Sequence, residues 1–226
     1  MVDHCLQASK LQAKVGAAHG PKKLMLAESA TAPLSAAGRL ESFNSSCVVL
    51  VPGNKLPAWM FADLRTDHAG EIGAVCIYQG VLKFARDPLL RAFAENHLAT
   101  EQKHLRLIAE WLPKDQHSRL LPLWRLAGFL TGALPALFGS KAVYATIEAV
   151  ETFVNHHYQE QILAMTSRIE LSALRQTLLD CQADEVAHRD EAAAARGPSQ
   201  SGWVLSAWCA MVGVGSKAAV SLIRHI

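Results

Sequence analysis

The feature that most constrains this fold is a glutamate at the centre of each of four apolar helical stripes. From Ala62 onward, apolar residues recur every three to four positions, as in amphipathic helices, and no alternating strand pattern bounded by turn residues appears. Prolines mark three of the breaks, because proline fits the first turn of a helix but interrupts its interior. The pattern predicts an all-α bundle whose six helices cover 62–86, 88–112, 119–138, 141–167, 170–196 and 202–224.

Four of these helices carry an acid on the face that should be buried, namely Glu71, Glu101, Glu151 and Glu185. An isolated carboxylate in an apolar core costs several kcal/mol or takes up a proton. No lysine or arginine lies on the four stripes to pair with the acids. A metal centre between the helices would supply the missing positive charge.

Two Glu-x-x-His motifs, Glu101 with His104 and Glu185 with His188, strengthen this interpretation. Residues three apart leave the same face of a helix, so each pair can offer one oxygen and one nitrogen to a metal. Glu71 precedes the first motif by 30 residues, and the lone glutamate at 151 precedes the second by 34. The chain therefore contains a duplicated helix pair, and its acids and histidines match the ligand set of ferritin-like di-iron and di-manganese bundles.

The types of ligand favour some metals over others. Four carboxylates and two imidazoles without a thiolate disfavour structural zinc and suit iron or manganese. Six protein ligands for two metals leave positions open for water, dioxygen or substrate, which indicates oxygen chemistry.

Composition narrows the class of protein further. Half of the 226 residues are hydrophobic and 19% are charged, which excludes a disordered or collagen-like chain. The net charge of +2 is too small for a nucleic-acid-binding surface. Five cysteines without a C-x-x-C motif indicate ordinary thiols in a reducing compartment, not a disulfide framework or a zinc ribbon.

The segment from Arg65 to Glu71 resembles the R-x-D-H-A-G-E signature of the demethoxyubiquinone hydroxylase family. Gly73 and the Ile-Tyr pair at 77–78 follow at the family's spacing, and both Glu-x-x-His motifs also match. So do the stretch from Glu151 to Tyr158 and the Leu-Pro-Leu-Trp segment at 121–124. The resemblance covers residues 63–226.

The resemblance implies a ferritin-like four-helix bundle that uses two iron ions, cycling between Fe2+ and Fe3+, and dioxygen as co-substrate. Its reaction would be ring hydroxylation of a polyprenylated demethoxyubiquinol, a late step of ubiquinone biosynthesis. It further implies that His157 and Tyr158 lie near the metals and take part in electron or proton delivery, although simple packing and surface exposure would also explain them. The implied metal ligands are Glu71, Glu101, His104, Glu151, Glu185 and His188.

Several residues near the first ligand have less specific interpretations. Gly70 and Gly73 each cost about 1 kcal/mol inside a helix, so they indicate either close helix packing or room for a flat aromatic ring. Arg65 and Asp67 are candidates for supporting or substrate contacts. His97 lies one turn before a ligand, where a hydrogen-bonded core histidine is the simpler interpretation.

The third and sixth predicted helices are apolar but contain Pro122, Arg125, Pro135 and Lys217. A spanning helix needs about 20 predominantly apolar residues, so we expect both helices to lie in the membrane interface. A membrane span and an ordinary bundle cap are the alternatives. The expected partners are the membrane surface, the polyprenyl quinol within it, a lipid-binding ubiquinone-biosynthesis protein and a second copy of the chain.

Residues 1–60 show no sustained periodicity and no secretory signal, and they are poor in acids. We expect a disordered leader or a targeting segment at 1–60 and the ferritin-like hydroxylase domain at 61–226. The expected location is a peripheral position on the cytoplasmic face of a bacterial inner membrane, or else on the matrix face of the mitochondrial inner membrane.

Two other classes of function compete with the hydroxylase. One is a ferritin-like protein that consumes peroxide or oxidises iron, although the four-cysteine iron module of a rubrerythrin-like scavenger is absent from the sequence. The other is a non-catalytic membrane-associated scaffold. Bound iron with an oxygen-sensitive spectrum would separate a scaffold from an enzyme.

Overall fold

A computed structural model describes residues 48–198 and 202–225. These residues form six α-helices and no strand, which confirms the all-α prediction. Two short 3-10 turns, Lys114–Gln116 and Ile169–Leu171, lie in the connections. The helices are α1 (Ala58–Phe84), α2 (Pro88–Trp111), α3 (Leu121–Phe138), α4 (Ser140–Ala164), α5 (Ser172–Arg196) and α6 (Trp203–Ile223). The leader predicted for 1–60 falls mostly outside the described residues.

Helix α1 begins earlier than the periodicity predicted. It starts at Ala58, directly after Pro57, and both Leu56 and Met60 are fully buried. Sequence periodicity could not show this start, because the first turn packs between apolar residues of distant helices. Helix α5 begins later, at Ser172, because the residues before it form the second 3-10 turn.

The four helices that carry the candidate ligands, α1, α2, α4 and α5, surround two apolar clusters. One cluster includes Tyr78, Phe93, Ile147 and Ala192, and the other includes Leu64, Ile108, Tyr158 and Leu178. Helices α1 and α5 therefore run from the second cluster to the first, while α2 and α4 run the opposite way. Each helix carries its glutamate between its members of the two clusters, so the four acids lie at one level of the bundle.

Helix α3 packs closely along α1 through glycines on both helices. A Cβ atom added at Gly80 would lie 2.2 Å from the carbonyl oxygen of Phe129, and one at Gly132 would lie 1.9 Å from that of Ile77. At Gly73 an added Cβ would lie 2.8 Å from the indole nitrogen of Trp124. Close packing therefore explains Gly73, one of the two glycines for which the sequence allowed two interpretations.

We expect Gly132→Ala to destabilise the protein by about 1–3 kcal/mol, because the new methyl group meets rigid backbone and must push α3 away from α1. Gly213→Ala in α6 is the matched control, since an added Cβ there has no atom within 4 Å. The control should be neutral or stabilising by up to about 1 kcal/mol, because alanine favours helix. Thermal and denaturant unfolding of both variants measure the difference, and equal stabilities would contradict this packing.

The outer faces of α3 and α6 are apolar and exposed. By length and composition alone, both helices could cross a membrane. Only 28% of the apolar 18-residue stretch of α3 and 11% of that of α6 are buried within the protein. The exposed side chains include Leu123, Leu126, Leu130, Leu134 and Leu137 of α3 and Trp203, Met211 and Val214 of α6. No described part of the chain covers these leucines, and an exposed apolar face of this kind is typical of a surface that binds a protein or a membrane.

Candidate metal centre

The structure brings together all six side chains that the sequence singled out as metal ligands, and all six are buried. They form two sets of four, and the candidate ligand atoms of each set lie within 4.8 Å of one another. The first set is Glu71, Glu101, His104 and Glu185, and the second is Glu101, Glu151, Glu185 and His188. Glu101 and Glu185 belong to both sets. This arrangement fits two adjacent metals that share two carboxylates.

Each histidine turns its Nδ1 atom toward the acids. His104 Nδ1 lies 2.9 Å from Glu185 Oε1 on α5. His188 Nδ1 lies 3.0 Å from Glu101 Oε1 on α2 and 3.3 Å from the Oε2 atom of Glu185. The two Glu-x-x-His motifs therefore face each other across the bundle, and each histidine approaches the glutamate of the opposite motif.

Several buried polar atoms at this centre have no hydrogen-bond partner among the described residues. They are Glu71 Oε2, both carboxylate oxygens of Glu101, Glu185 Oε2 and His188 Nδ1. Buried polar atoms normally have partners, and leaving one unpaired costs about 1–3 kcal/mol. Cations among these oxygens and imidazole nitrogens would satisfy them. The donor set therefore fits iron or manganese.

The electrostatics of the four acids show the same need for positive charge. Burial and repulsion by Glu185 raise the pKa of Glu101 and of Glu151 well above the ordinary value. Burial also raises the pKa of Glu71 to about 7, with a further contribution from Glu185. Burial opposes ionisation of Glu185 as well, but the neighbouring imidazoles of His104 and His188 outweigh it and lower the pKa of Glu185. The two imidazoles thus stabilise the negative charge of Glu185, whereas the other three carboxylates have too little positive charge beside them.

Two tyrosines hold the two glutamates that stand outside the Glu-x-x-His motifs. The hydroxyl of Tyr158 donates to Glu71, and the hydroxyl of Tyr78 donates to Glu151 Oε1 at 3.3 Å. Each tyrosine lies seven residues after a glutamate of its own helix, and the bonds cross between α1 and α4. The sequence indicated no role for Tyr78 at the candidate metal centre. The repeated Glu-x6-Tyr spacing was the signal that could have identified it.

His157 lies one layer outside the carboxylate cluster. Its Nε2 atom is 3.1 Å from Asp67 Oδ1 and 2.9 Å from Thr66 Oγ1. Gln161 donates to the same Asp67 oxygen at 2.6 Å. Burial would lower the pKa of His157, but the hydrogen bond and charge of Asp67 outweigh it and raise this pKa. Asp67 is thus a supporting residue, as one interpretation of the sequence expected.

Arg65 lies away from the cluster. Its guanidinium donates to the carbonyl oxygens of Gln116, at 2.7 Å, and of Arg224, at 3.2 Å. It therefore ties the connection after α2 and the end of α6 to α1. The structure gives Arg65 no contact with the candidate ligands.

His97 is the hydrogen-bonded core histidine that the sequence favoured. Its Nδ1 atom is 3.1 Å from the Tyr78 hydroxyl, and its Nε2 atom is 3.0 Å from Glu191 Oε2. Its ring also stacks on the ring of His188, with centroids 3.9 Å apart. The contact with a candidate ligand could not be read from the sequence, because it depends on how α2 and α5 are rotated.

Asp184 supports the other histidine. Its Oδ2 atom accepts from His104 Nε2 at 3.0 Å and from Lys103 Nζ at 3.4 Å. Asp184 was not among the residues predicted from the sequence, although it directly precedes Glu185. Many acids precede glutamates on helix surfaces, so the position alone carries little information.

An apolar cavity leads to the acids. A small cavity of about 40 Å³ borders Glu71, Glu101, Glu151 and Glu185. A larger one of about 310 Å³ extends between α1, α3, α4 and α6, past Trp124, Trp208 and Met211. The two cavities adjoin, because they share the lining residues Gly70, Ala74, Phe153, Val154 and Val220. A Cβ atom added at Gly70 would meet nothing within 4 Å, so this glycine leaves open space beside the candidate ligand Glu71.

Comparison with known proteins gives the relatives of this chain. The model of the family described as "Ubiquinone biosynthesis protein COQ7" matches residues 59–223. The chain is 35% identical over 130 residues to the NADPH-dependent 3-demethoxyubiquinone 3-hydroxylase, mitochondrial, of Dictyostelium discoideum. It is 37% identical over 145 residues to the 3-demethoxyubiquinol 3-hydroxylase of Rhodospirillum rubrum. The Homo sapiens protein that bears the same name as the Dictyostelium one is 32% identical over 181 residues.

These alignments cover 55%, 62% and 77% of this chain, in the order given. They cover 59%, 67% and 82% of the three relatives' own lengths. The chain thus spans less than two thirds of the Dictyostelium protein.

Proposed function

The chain belongs to the ubiquinone biosynthesis protein COQ7 family, and we propose that it is a di-iron monooxygenase that hydroxylates the ring of a polyprenylated demethoxyubiquinol with dioxygen. One observation carries the proposal. Two sets of carboxylate and imidazole ligands share Glu101 and Glu185 at the inner end of an apolar cavity. The names of the bacterial and mitochondrial relatives specify 3-hydroxylation of a demethoxyubiquinol or a demethoxyubiquinone.

In this proposal, Glu71 and His104 would hold one iron, Glu151 and His188 would hold the other, and Glu101 and Glu185 would contribute to both. When bound, the two irons would supply electrons for the reduction of dioxygen. The protein supplies the rest of the centre. Tyr158 and Tyr78 orient the two outer glutamates through their hydroxyl groups, and both tyrosines keep their protons because burial raises their pKa values well above the ordinary value.

The cavity suits a substituted aromatic ring with an apolar tail. Its volume of about 310 Å³ is at the lower end of the range for small-molecule pockets. The walls are mostly glycines and apolar side chains, so they limit water near the acids without competing for a metal. The space beside Gly70 would admit the flat ring, while the tail would run between α3 and α6 toward their exposed faces.

His157 and Tyr158 are the proposed residues for proton or electron delivery. His157 lines the small cavity together with the four acids, and it also lines a larger open groove between α4 and α6. It therefore connects the centre with solvent. Asp67 supports a protonated His157, which would hold a proton at Nε2 close to the reaction site.

We further propose that the protein binds peripherally to a membrane through α3 and α6. The exposed leucines of α3 and the exposed apolar residues of α6 support this location. In a bacterium the surface would be the cytoplasmic face of the inner membrane. In a mitochondrion it would be the matrix face of the inner membrane.

A quinone profile tests the reaction directly. We expect a bacterial strain that lacks its own 3-demethoxyubiquinol hydroxylase to accumulate demethoxyubiquinone and to regain ubiquinone when this chain is expressed. A strain that expresses Glu151→Ala at the same level serves as the control and should stay deficient. Unchanged demethoxyubiquinone with soluble, iron-loaded protein would contradict the hydroxylase. Turnover of hydrogen peroxide without any quinol would instead favour a peroxide-consuming protein.

A further inference from the structure

The two candidate metal positions have the same types of ligand, but their histidines differ in hydrogen bonding. Each position has one outer glutamate held by a tyrosine, one histidine and the two shared carboxylates. The histidines, however, differ in what binds their second nitrogen. Because of this difference, the two positions are expected to bind a metal with different affinities.

On one side, His104 Nε2 donates to Asp184 at 3.0 Å, and Lys103 lies 3.4 Å from the same carboxylate oxygen. A carboxylate in this place fixes the histidine tautomer, so that Nδ1 is free for a metal. It also fixes the ring orientation and makes the imidazole a stronger donor. Asp184 sits on α5, directly before Glu185, and reaches across to α2.

On the other side, no described group hydrogen-bonds the Nε2 atom of His188. By the repeat of the two motifs, the residue corresponding to Asp184 is Thr100, directly before Glu101. The Thr100 hydroxyl instead donates to the carbonyl oxygen of Asn96 on its own helix, at 3.5 Å. His188 is held by stacking on His97, which restrains the ring but does not select a tautomer.

We infer that Asp184 makes the position held by Glu71 and His104 the tighter of the two, so that the protein fills it first and passes through a one-metal state. The inference rests on the proposed two-metal centre. Asp184 acts here as a positioning residue, because it touches His104 and not the metal.

Stepwise metal titration of the full chain tests the inference. The metal-free protein is titrated with Co²⁺, whose visible absorption reports coordination, and calorimetry gives the two dissociation constants. We expect two resolved classes in the wild-type protein. Asp184→Asn should weaken the tight class by about 10- to 100-fold, as is usual for loss of such a partner, and leave the weak class unchanged. Asp180→Asn, one turn earlier on α5 and exposed, is the matched control and should change neither.

Three further variants locate the effect. His188→Ala should keep the tight class, whereas His104→Ala should keep only a weak one. By the repeat of the two motifs, an aspartate at position 100 would face His188 as Asp184 faces His104. Thr100→Asp should therefore raise the metal affinity of the weak class toward that of the tight class. This gain of affinity does not depend on whether Asp184→Asn folds.

The outcomes separate this inference from the proposed function. Equal affinities in the wild-type protein would overturn the inference while leaving the two-metal centre intact. An equal loss of both classes in Asp184→Asn would also overturn it, because it would show a general structural role. A wild-type protein that binds no divalent metal would overturn the proposed function itself.

Discussion

Glu185→Ala should remain folded but lose iron from both positions and show no hydroxylation. Glu185 belongs to both ligand sets, so its removal takes one carboxylate from each metal position. The bundle should tolerate the change, because Glu185 lies among three other buried acids and its removal relieves repulsion in the metal-free protein. Circular dichroism and thermal unfolding check the fold, metal analysis counts the iron, and oxygen-dependent conversion of a demethoxyquinol measures activity.

Two companion variants sharpen this experiment. Glu110→Ala removes an exposed glutamate of α2 and should behave as the wild-type protein. Glu71→Ala affects only one ligand set, so it should reduce iron at one position more than at the other. Full activity of Glu185→Ala would contradict the ligand assignment, as would a loss of iron in Glu110→Ala.

Leu126→Glu combined with Leu130→Glu should release the protein from membranes. Leu126 is 56% exposed and Leu130 is 43% exposed, on the outer face of α3, while their neighbour Phe129 is half-buried against α1. Full burial of a leucine contributes about 1.5–3 kcal/mol, and about half of each side chain is still exposed, so the two leucines together contribute about 1.5–3 kcal/mol. Every 1.4 kcal/mol is tenfold in affinity. The double variant should therefore bind liposomes at least about 10-fold more weakly, as measured by flotation at several lipid concentrations.

Enzyme assays separate loss of membrane binding from damage to the site. Turnover of long-chain quinol in liposomes should fall with binding, whereas turnover of a short-chain, water-soluble quinol should persist. Leu89→Glu with Leu163→Glu is the matched control, because both leucines are exposed but lie outside α3 and α6. If the α3 variant still floats with liposomes, or if it loses both activities equally, α3 is not the membrane-binding surface.

The sequence alone predicted the helices and the six candidate ligands because both depend on local periodicity. A glutamate in the middle of an apolar stripe is conspicuous whatever the partner helix is, and so is a histidine three residues later. The same reasoning placed His97 in the core. It misplaced the start of α1, where burial of Met60 depends on residues far along the chain.

The tertiary structure decided how these residues meet. The sharing of Glu101 and Glu185 between two ligand sets depends on the height and rotation of four helices relative to one another. The crossed tyrosine bonds and the contact of Asp184 with His104 have the same origin. Likewise, glycine contacts with α1 determine which face of α3 is left outside. A periodic pattern shows which face of a helix is buried, but it does not specify the neighbouring helix or the level at which their side chains meet, since those follow from packing the whole bundle at once.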